Sequence, residues 1–403
     1  MTTIPFLGIA NTSETTPDTD GLEAPDRLKQ FCTLGGIEQD STVQERLDHK
    51  LRVIHELGLD NFFLALVDID RFASSQGHIS ILEGPAASSL VVHHLGLNSV
   101  NPLHHGLLFQ RFLDPDQTFA PMRQFGISEG GQEKVVRYAR NKFGWDGTDE
   151  ACPWRAYSQP WQLPGGGAND RATIDIVVHP SMTVLKRTVT LIQERHGPNA
   201  ISSRLPMHDA KTMALFRHGD TADIYQFCSD RSQELLRKVS PDGIDDLAIA
   251  WSLSYEVTFE NGVASDYLDQ RHGNAESPNR HPWLKDILAE THGVLLYHEQ
   301  VMEIVHRIGG LAKRDGIKLI QAMSKKSQKL IDEFRDKFVT GASKKQIETG
   351  IAEDIFDSVS HRGQFTQCKA NAISAATIAY QVGYLKAHFP DEFVTASKSA
   401  TPS

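Results

Sequence analysis

The stretch Thr173-Ile-Asp-Ile-Val-Val178 is followed by Pro180 and by residues with helical periodicity at about 183–194. Its β-branched residues favour an extended strand, and a proline is well tolerated in the first turn of the helix that comes next. A second apolar run, at residues 62–67, is short and continuous, which is typical of a buried strand. These two runs predict a sheet in the first half of the chain.

Helical patterns surround the predicted strands. Apolar residues recur at helical spacing from Val43 to Leu57, and Gly58 follows as a stop signal, which predicts an amphipathic helix. Further helices are predicted at about 86–95 and 133–142. We therefore expect a first half in which helices pack against a sheet.

The pattern changes after this region. Residues 145–171 contain several Pro, Gly and Trp residues without periodicity, which indicates a connector. From about residue 209 to residue 392 the sequence is mostly helical, with Gly and Pro breaks. The chain thus divides into an α/β half and a helical half, and the predicted fold class is α+β.

The charge balance of the sequence limits the ways in which the protein could contact nucleic acid. The chain has 403 residues with 41 Lys and Arg against 51 Asp and Glu, a net charge of −10. A surface that wraps duplex DNA is usually basic, so any contact with nucleic acid has to come from a local patch.

No apolar run reaches the roughly 18 to 20 residues that span a bilayer, and the first twenty residues lack a signal-peptide pattern. These features predict a cytoplasmic protein without membrane contact. Residues 1–24 and 397–403 are predicted tails.

Several long motifs resemble one family. In the second half they are His292-Gly-Val-Leu-Leu-Tyr-His-Glu-Gln-Val-Met302, Gln321-Ala-Met-Ser-Lys-Lys326 and Tyr380-Gln-Val-Gly-Tyr-Leu-Lys-Ala-His-Phe-Pro390. In the first half, Gly106-Leu-Leu-Phe-Gln-Arg-Phe-Leu113 is among the matching segments. In their order along the chain, all of these motifs resemble the alpha subunit of bacterial DNA polymerase III, a C-family DNA polymerase.

The resemblance implies an architecture. It predicts a mixed-sheet, palm-like domain at residues 25–200, followed by a mostly helical, fingers-like domain at residues 201–396. The connector at residues 145–171 stands where the family has its thumb, and it is too short to form that domain. The thumb is therefore expected to be missing.

The catalytic carboxylates of the family are mostly replaced. Nucleotide addition uses divalent metal ions, which bind to clustered carboxylates. The family has a pair of aspartates after a motif that here reads Arg111-Phe-Leu-Asp-Pro115, but this chain has Met122, Gln124 and Gly126 in that segment. The position of the third aspartate matches Asp175, the one metal-ligand position that survives. A strand-end or solvent-facing acid is the alternative interpretation of Asp175.

Other active-site motifs differ as well. The Gly-Ser loop of the family is replaced by Glu83-Gly84-Pro85, where Glu83 would repel a phosphate and Pro85 lacks an N–H donor. Ile320 and Gln321 replace an Arg pair, and the Lys-containing segment of the fingers keeps only Lys369. The positions that match are packing positions, whereas the positions that bind metal and phosphate differ.

Two other groups of residues suggest a metal site. Asp68 and Asp70 would lie on one face of the strand predicted at residues 62–67, and with Asp175 they could form a rebuilt cluster for Mg²⁺. The doubled histidines, His93-His94 and His104-His105, suggest zinc, but adjacent residues on a helix point about 100° apart. Partly buried or surface histidines are the favoured interpretation.

Residues 311–340 form a local basic segment. They contain eight Lys and Arg residues against four acids, a local net charge of +4. Lys325 and Lys326 match family positions near DNA and nucleotide, as does Lys369. The segment predicts phosphate binding, and a solvated helix face with internal ion pairs is the equally weighted alternative.

These observations predict a protein of DNA replication or repair that is catalytically inactive or severely impaired. It would act by binding DNA or a protein partner of the replication or repair machinery, without a cofactor. The alternative is an active DNA-directed DNA polymerase that uses Mg²⁺ at a rebuilt site. Losing several charges at once removes many powers of ten in the rate of phosphoryl transfer, which favours the first interpretation.

Overall fold

The structure is a computed structural model of the chain. It describes residues 3–7, 21–34, 41–114, 123–145, 155–157, 173–274 and 281–398.

The described strands form two sheets. Their bounds are β1 (Thr3–Pro5), β2 (Ser80–Glu83), β3 (Arg123–Ile127), β4 (Arg155–Tyr157), β5 (Thr173–Val178) and β6 (Arg204–Pro206). Four strands form a mixed sheet in the order β2-β3-β5-β4, in which β3 and β5 run parallel and the outer pairs run antiparallel. The strand predicted at residues 173–178 is confirmed as β5, and the mixed character of the sheet is confirmed as well.

Helices make up most of the remaining described structure. In chain order they are α1 (Ala24–Leu34), α2 (Ser41–Glu56), α3 (Asp60–Ser75), α4 (Leu90–His94), α5 (Gln132–Phe143), α6 (Pro180–His196), α7 (Ala210–His218), α8 (Asp230–Val239), α9 (Ile244–Leu253), α10 (Glu256–Glu260), α11 (Val263–Arg271), α12 (Pro282–Lys285), α13 (His298–Arg307), α14 (Lys313–Ser324), α15 (Gln328–Lys344), α16 (Thr349–Arg362), α17 (Lys369–His388) and α18 (Pro390–Lys398). Short 3₁₀ turns occur at Gly84–Ser88, Phe109–Arg111, Tyr225–Phe227, Ala289–Thr291 and Gly363–Phe365. The helices predicted from Val43 and at residues 133–142 and 183–194 are confirmed as α2, α5 and α6.

The strand predicted at residues 62–67 is wrong, because these residues lie inside helix α3. Phe62, Leu66, Ile69 and Ala73 recur at helical spacing and are all buried in one core cluster. A continuous apolar run fits a helix that is buried on most of its surface as well as it fits a buried strand. Asp68 and Asp70 therefore lie two residues apart on a helix, about 200° around its axis.

The tail predicted at residues 1–24 is wrong for residues 3–7, and residues 8–20 lie outside the described part. Strand β1 pairs antiparallel with β6, and Ile4, Phe6 and Leu7 are buried. The side chain of Gln381 accepts a hydrogen bond from Leu7 N at 2.8 Å. The apolar residues of this short segment bury enough surface to hold it against the helical half.

Two other predicted segments differ in detail. The helix expected at residues 86–95 is a 3₁₀ turn followed by α4, because Ser89 starts a new helix by accepting a hydrogen bond from Val92 N. Of the connector at residues 145–171, the structure describes only Trp145 and strand β4. The expected absence of a thumb falls on residues outside the described part.

Three apolar clusters form the described core. One lies between helices α1 to α5 and one face of the four-stranded sheet. A second surrounds α17, in which sixteen of twenty residues are buried, and a third lies among α13 to α16. A helix that is apolar on all sides must be covered on all sides, so α17 is the central element of the helical half. None of the described helices is both long enough and apolar enough to cross a membrane.

Candidate functional site

One face of the four-stranded sheet packs into the first core cluster, and the other face carries a group of polar side chains. Alternation along β3 and β5 directs Phe125, Ile174 and Ile176 into the first core cluster. Gln124 and Asp175, which alternate with them, point to the opposite face, and their Cα atoms are partners in the register of β3 and β5. Neighbouring strands lie about 4.8 Å apart, so the two side chains are adjacent.

A third side chain, on β2, lies next to Gln124 on the same face of the sheet. Glu83 is the register partner of Gln124 across the antiparallel β2 and β3 pair. Glu83, Gln124 and Asp175 thus form a row across three strands, which we call the polar row. Asp175, which the resemblance matches to a metal-ligand position, therefore lies beside Gln124 in this row.

The polar row does not fit a pair of Mg²⁺ ions. Asp175 is the only carboxylate at the family's three aspartate positions, and Gln124 offers a neutral amide oxygen. Within the described residues there is no group of three or more His, Cys, Asp or Glu side chains that could hold a metal ion. Two-metal catalysis needs several anionic ligands, and the polar row does not supply them.

Asp68 and Asp70 are engaged in other contacts. Asp68 accepts hydrogen bonds from Tyr138 Oη at 2.6 Å and from Lys142 Nζ at 2.8 Å. Asp70 accepts one from Ser80 Oγ at 2.5 Å, and burial raises the pKa of Asp70 to about 6. The expectation that both acids share one face of a strand is wrong, and each one stabilises the packing of α3 against its neighbours.

Gly126 is a point of close approach between β2 and β3. A Cβ atom at this position would collide with Oε1 of Glu83, and it would lie 3.3 Å from Cβ of His179. The side chain of Glu83 therefore fills the space beside Gly126, which with Met122 and Gln124 is one of the three positions where the resemblance predicts acidic residues.

Glu83 and His179 meet in this space as neutral groups. Their Oε1 and Nε2 atoms are 3.6 Å apart, and the two side chains are 14% and 8% exposed. Burial raises the pKa of Glu83 to about 8 and lowers the pKa of His179 to about 4. Nδ1 of His179 accepts a hydrogen bond from Ser181 N, so the ring proton lies on Nε2, toward Glu83. Glu83 lies in the segment that replaces the Gly-Ser loop and not at any of the aspartate positions that the resemblance gives.

Raising the pH from 6 to 9 is expected to reduce the contribution of Glu83 to the free energy of unfolding by about 3 kcal/mol. Its folded pKa of about 8 lies above its ordinary value of 4.5, so the folded state holds the extra proton. This stabilisation is complete below about pH 4.5 and is lost as the pH rises through about 8. Urea unfolding at pH 6 and pH 9 measures the difference.

Glu83→Gln is the control for this pH dependence, because the amide has nearly the same shape and does not ionise. The variant should lose much less stability between pH 6 and pH 9 than the unmodified chain. Equal losses in the two proteins would contradict the assignment to Glu83.

The turn after β2 carries no serine hydroxyl at the position of Pro85. Gly84 has φ +76°, and Pro85 occupies the first turn of the 3₁₀ segment Gly84–Ser88. This segment packs against α17. Pro85 offers no backbone N–H, so the turn has lost a donor that could face a phosphate.

Lys369 is buried and held by partners from three segments. Its Nζ donates hydrogen bonds to the carbonyl oxygen of His105 at 2.7 Å and to Oε2 of Glu290 at 2.5 Å. Its backbone N–H donates to Oε2 of Glu299 at 2.9 Å, at the start of α17. The residue is 7% exposed. These contacts explain the presence of Lys369 without a nucleotide.

Lys325 and Lys326 lie in a different environment. Both are exposed at the turn between α14 and α15, and Lys326 has a left-handed backbone with φ +52°. Within the basic segment, Lys313, Arg314, Lys318 and Arg335 form ion pairs with acids. Lys325, Lys326 and Lys329 form no ion pair in the part of the chain that the structure describes.

Three carboxylates have roles that the sequence does not reveal. As an anion Glu83 would repel phosphate, and only the fold shows that burial keeps it neutral. A glycine inside a strand often marks close approach, so Gly126 carries a signal for this contact. No sequence signal links Glu290 and Glu299 to Lys369, because they precede it by 79 and 70 residues.

Comparisons with known proteins agree with these features. Residues 181–346 match the family model described as the bacterial DNA polymerase III alpha subunit finger domain. Residues 24–159 match the model described as the bacterial DNA polymerase III alpha NTPase domain.

Longer relatives show the same similarity. The chain is 24% identical to DNA polymerase III subunit alpha of Aquifex aeolicus, over 91% of this chain and 42% of the relative. It is 25% identical to the subunit of the same name from Halalkalibacterium halodurans, over 93% of this chain and 43% of the relative. The chain thus spans about two fifths of the length of these relatives. From both family models and these relatives, the chain belongs to the bacterial DNA polymerase III alpha-subunit family.

Proposed function

We propose that this chain binds primed DNA in replication or repair and does not itself catalyse nucleotidyl transfer. The observation that carries the proposal is the composition of the polar row. Asp175 has Gln124 as its neighbour, and the space beside Gly126 is filled by the neutral side chain of Glu83.

The loss of charge bears directly on catalysis. Phosphoryl transfer depends on positioning and on neutralising the triphosphate, and both require metal ions held by carboxylates. Ile320, at one position of the Arg pair, is 8% exposed and belongs to the third core cluster. Ile320 thus supports packing, whereas Gln321 is exposed.

The basic segment supports the binding part of the proposal. Lys325, Lys326 and Lys329 present three exposed ammonium groups near one turn. Binding to phosphates releases condensed counterions, and the affinity then falls as the salt concentration rises. In a chain with net charge −10, such a local group is where contact with the DNA backbone is expected.

One experiment tests both parts with a fluorescent primed template, dNTPs and Mg²⁺ or Mn²⁺. We expect binding whose affinity falls with salt, and primer extension at least about 10⁴-fold slower than that of an active relative. Lys325→Gln/Lys326→Gln should lower the slope of log affinity against log salt by about 2. The matched control is Lys211→Gln/Lys285→Gln, which neutralises two exposed lysines elsewhere and should leave the slope unchanged.

Two outcomes would contradict the proposal. Robust extension that Asp175→Ala abolishes would mean that the polar row is an active metal site. Absence of salt-dependent binding to the primed template would mean that DNA is not the ligand, and would favour a protein partner of the replication or repair machinery.

A further inference from the structure

A second feature of the molecule lies apart from the polar row. It is a cavity of about 980 Å³ between α3, α4, α6 and the paired strands β1 and β6. None of the residues of the polar row is among its described lining residues, and neither are Lys325 and Lys326. We call it the basic cavity.

The lining carries an excess of positive charge. Arg71, Lys186 and Arg204 contribute permanent cations. Among the described lining residues Asp70 is the only acid. Its carboxylate already accepts a hydrogen bond from Ser80 Oγ, and burial raises the pKa of Asp70 to about 6. The charge of the cavity is therefore poorly balanced by the protein.

Histidines add hydrogen-bonding groups to the same walls. His78 is 6% exposed, and its Nε2 has no hydrogen-bond partner among the described residues. Its Nδ1 lies 3.2 Å from Nζ of Lys186. A buried polar atom without a partner costs free energy, which a ligand that supplies the missing hydrogen bond recovers.

Positive charges of the lining act on His93. Burial first, and then the charge of His94, lowers the pKa of His93 to about 4, and Arg204 acts in the same direction. A second wall is apolar, where the guanidinium of Arg71 lies over the ring of Phe31, 4.8 Å from its centroid. The cavity thus combines a polycationic side with an aromatic side.

We propose that the basic cavity binds a phosphorylated small molecule of about nucleotide size. Phosphate oxygens pair with Arg and Lys and accept hydrogen bonds from imidazole N–H groups. A volume of about 980 Å³ lies at the upper end of the range of small-molecule sites. Helices and strands contribute walls on several sides, and such a cavity encloses a compact ligand better than an extended strand of nucleic acid.

Titration calorimetry on the full chain tests the proposal, with ADP and inorganic pyrophosphate as probes. We expect both probes to bind, and we expect Lys186→Gln to weaken both by about tenfold or more through loss of one charge-assisted contact. Thr190→Glu is a second variant, because Thr190 lines the cavity from an exposed position of α6 and tolerates substitution. The added carboxylate should weaken both probes by a similar factor.

Two controls separate this site from the proposed DNA-binding surface. Lys211→Gln removes an exposed lysine outside the cavity and should leave both affinities unchanged. Lys325→Gln/Lys326→Gln should also leave them unchanged, whether or not the chain binds primed DNA. Thermal unfolding of each variant shows that it is folded.

The proposal is overturned by absence of binding to both probes. It is also overturned if Lys186→Gln and Thr190→Glu, both folded, bind with unchanged affinity. Loss of probe binding in Lys325→Gln/Lys326→Gln would mean that the probes occupy the other surface, and would overturn it as well.

Discussion

Gly126→Asp is expected to lower the free energy of unfolding by about 2 kcal/mol, mainly from burial of a second carboxyl group beside Glu83. A Cβ atom at this position collides with Oε1 of Glu83 and approaches Cβ of His179 to 3.3 Å. The new carboxyl would enter a space already occupied by a carboxyl whose pKa is about 8. Urea unfolding at pH 7, followed by circular dichroism, measures the loss.

Removing the Glu83 side chain should relieve the collision. In Glu83→Ala/Gly126→Asp the two substitutions are expected to be non-additive, with a favourable interaction energy of at least about 1 kcal/mol. The matched control is Gly350→Asp, because Gly350 is exposed in the first turn of α16 and a Cβ there meets nothing within 4 Å. An acid in a first helical turn is favourable, so this variant should keep its stability.

Two results would contradict this packing of the polar row. One is a Gly126→Asp variant as stable as the unmodified chain, and the other is strict additivity with Glu83→Ala. If neither is observed, placing an aspartate at position 126 requires a change at Glu83 as well. The glycine at position 126 and the packing of Glu83 are then one coupled feature.

Periodicity predicts the elements whose local pattern is unambiguous. The spacing from Val43 to Leu57 fits the helical period and predicts α2. The β-branched run at residues 173–178 fits a strand and predicts β5. The strand prediction at residues 62–67 is wrong, because a continuous apolar run carries no period. The burial of Phe62 and Leu66 depends on α3 being covered by its neighbours, which is tertiary information.

The candidate site is predictable where it depends on residue identity. Gln124 and Gly126 cannot bind Mg²⁺ as carboxylates do, and this follows from the sequence and the resemblance alone. The protonation state of Glu83 is not predictable from the sequence, because it results from burial beside His179 and Gly126. The surroundings of Lys369 are also not predictable, because its partners come from segments far away along the chain.

Lys369→Met is expected to lower the free energy of unfolding by about 2 kcal/mol and to leave the affinity for primed DNA unchanged. The substitution removes a buried ammonium that donates to the carbonyl oxygen of His105 and to Glu290. The carbonyl of His105 loses a donor, and this loss is the main cost, because Glu290 is 43% exposed and can be hydrated. Urea unfolding and fluorescence anisotropy with the primed template give the two readouts.

Lys325→Gln/Lys326→Gln is the matched comparison, because both lysines are exposed and form no described ion pair. That variant should keep its stability within about 0.5 kcal/mol, as surface substitutions usually do, and should lose affinity for primed DNA. The two variants are thus expected to give opposite patterns in the same two assays. If Lys369→Met kept its stability and lost DNA affinity, Lys369 would be a nucleic-acid contact, as the resemblance implies. If it lost stability alone, this family position would act in this chain as a buried link between the start of α17 and the segments that carry His105 and Glu290.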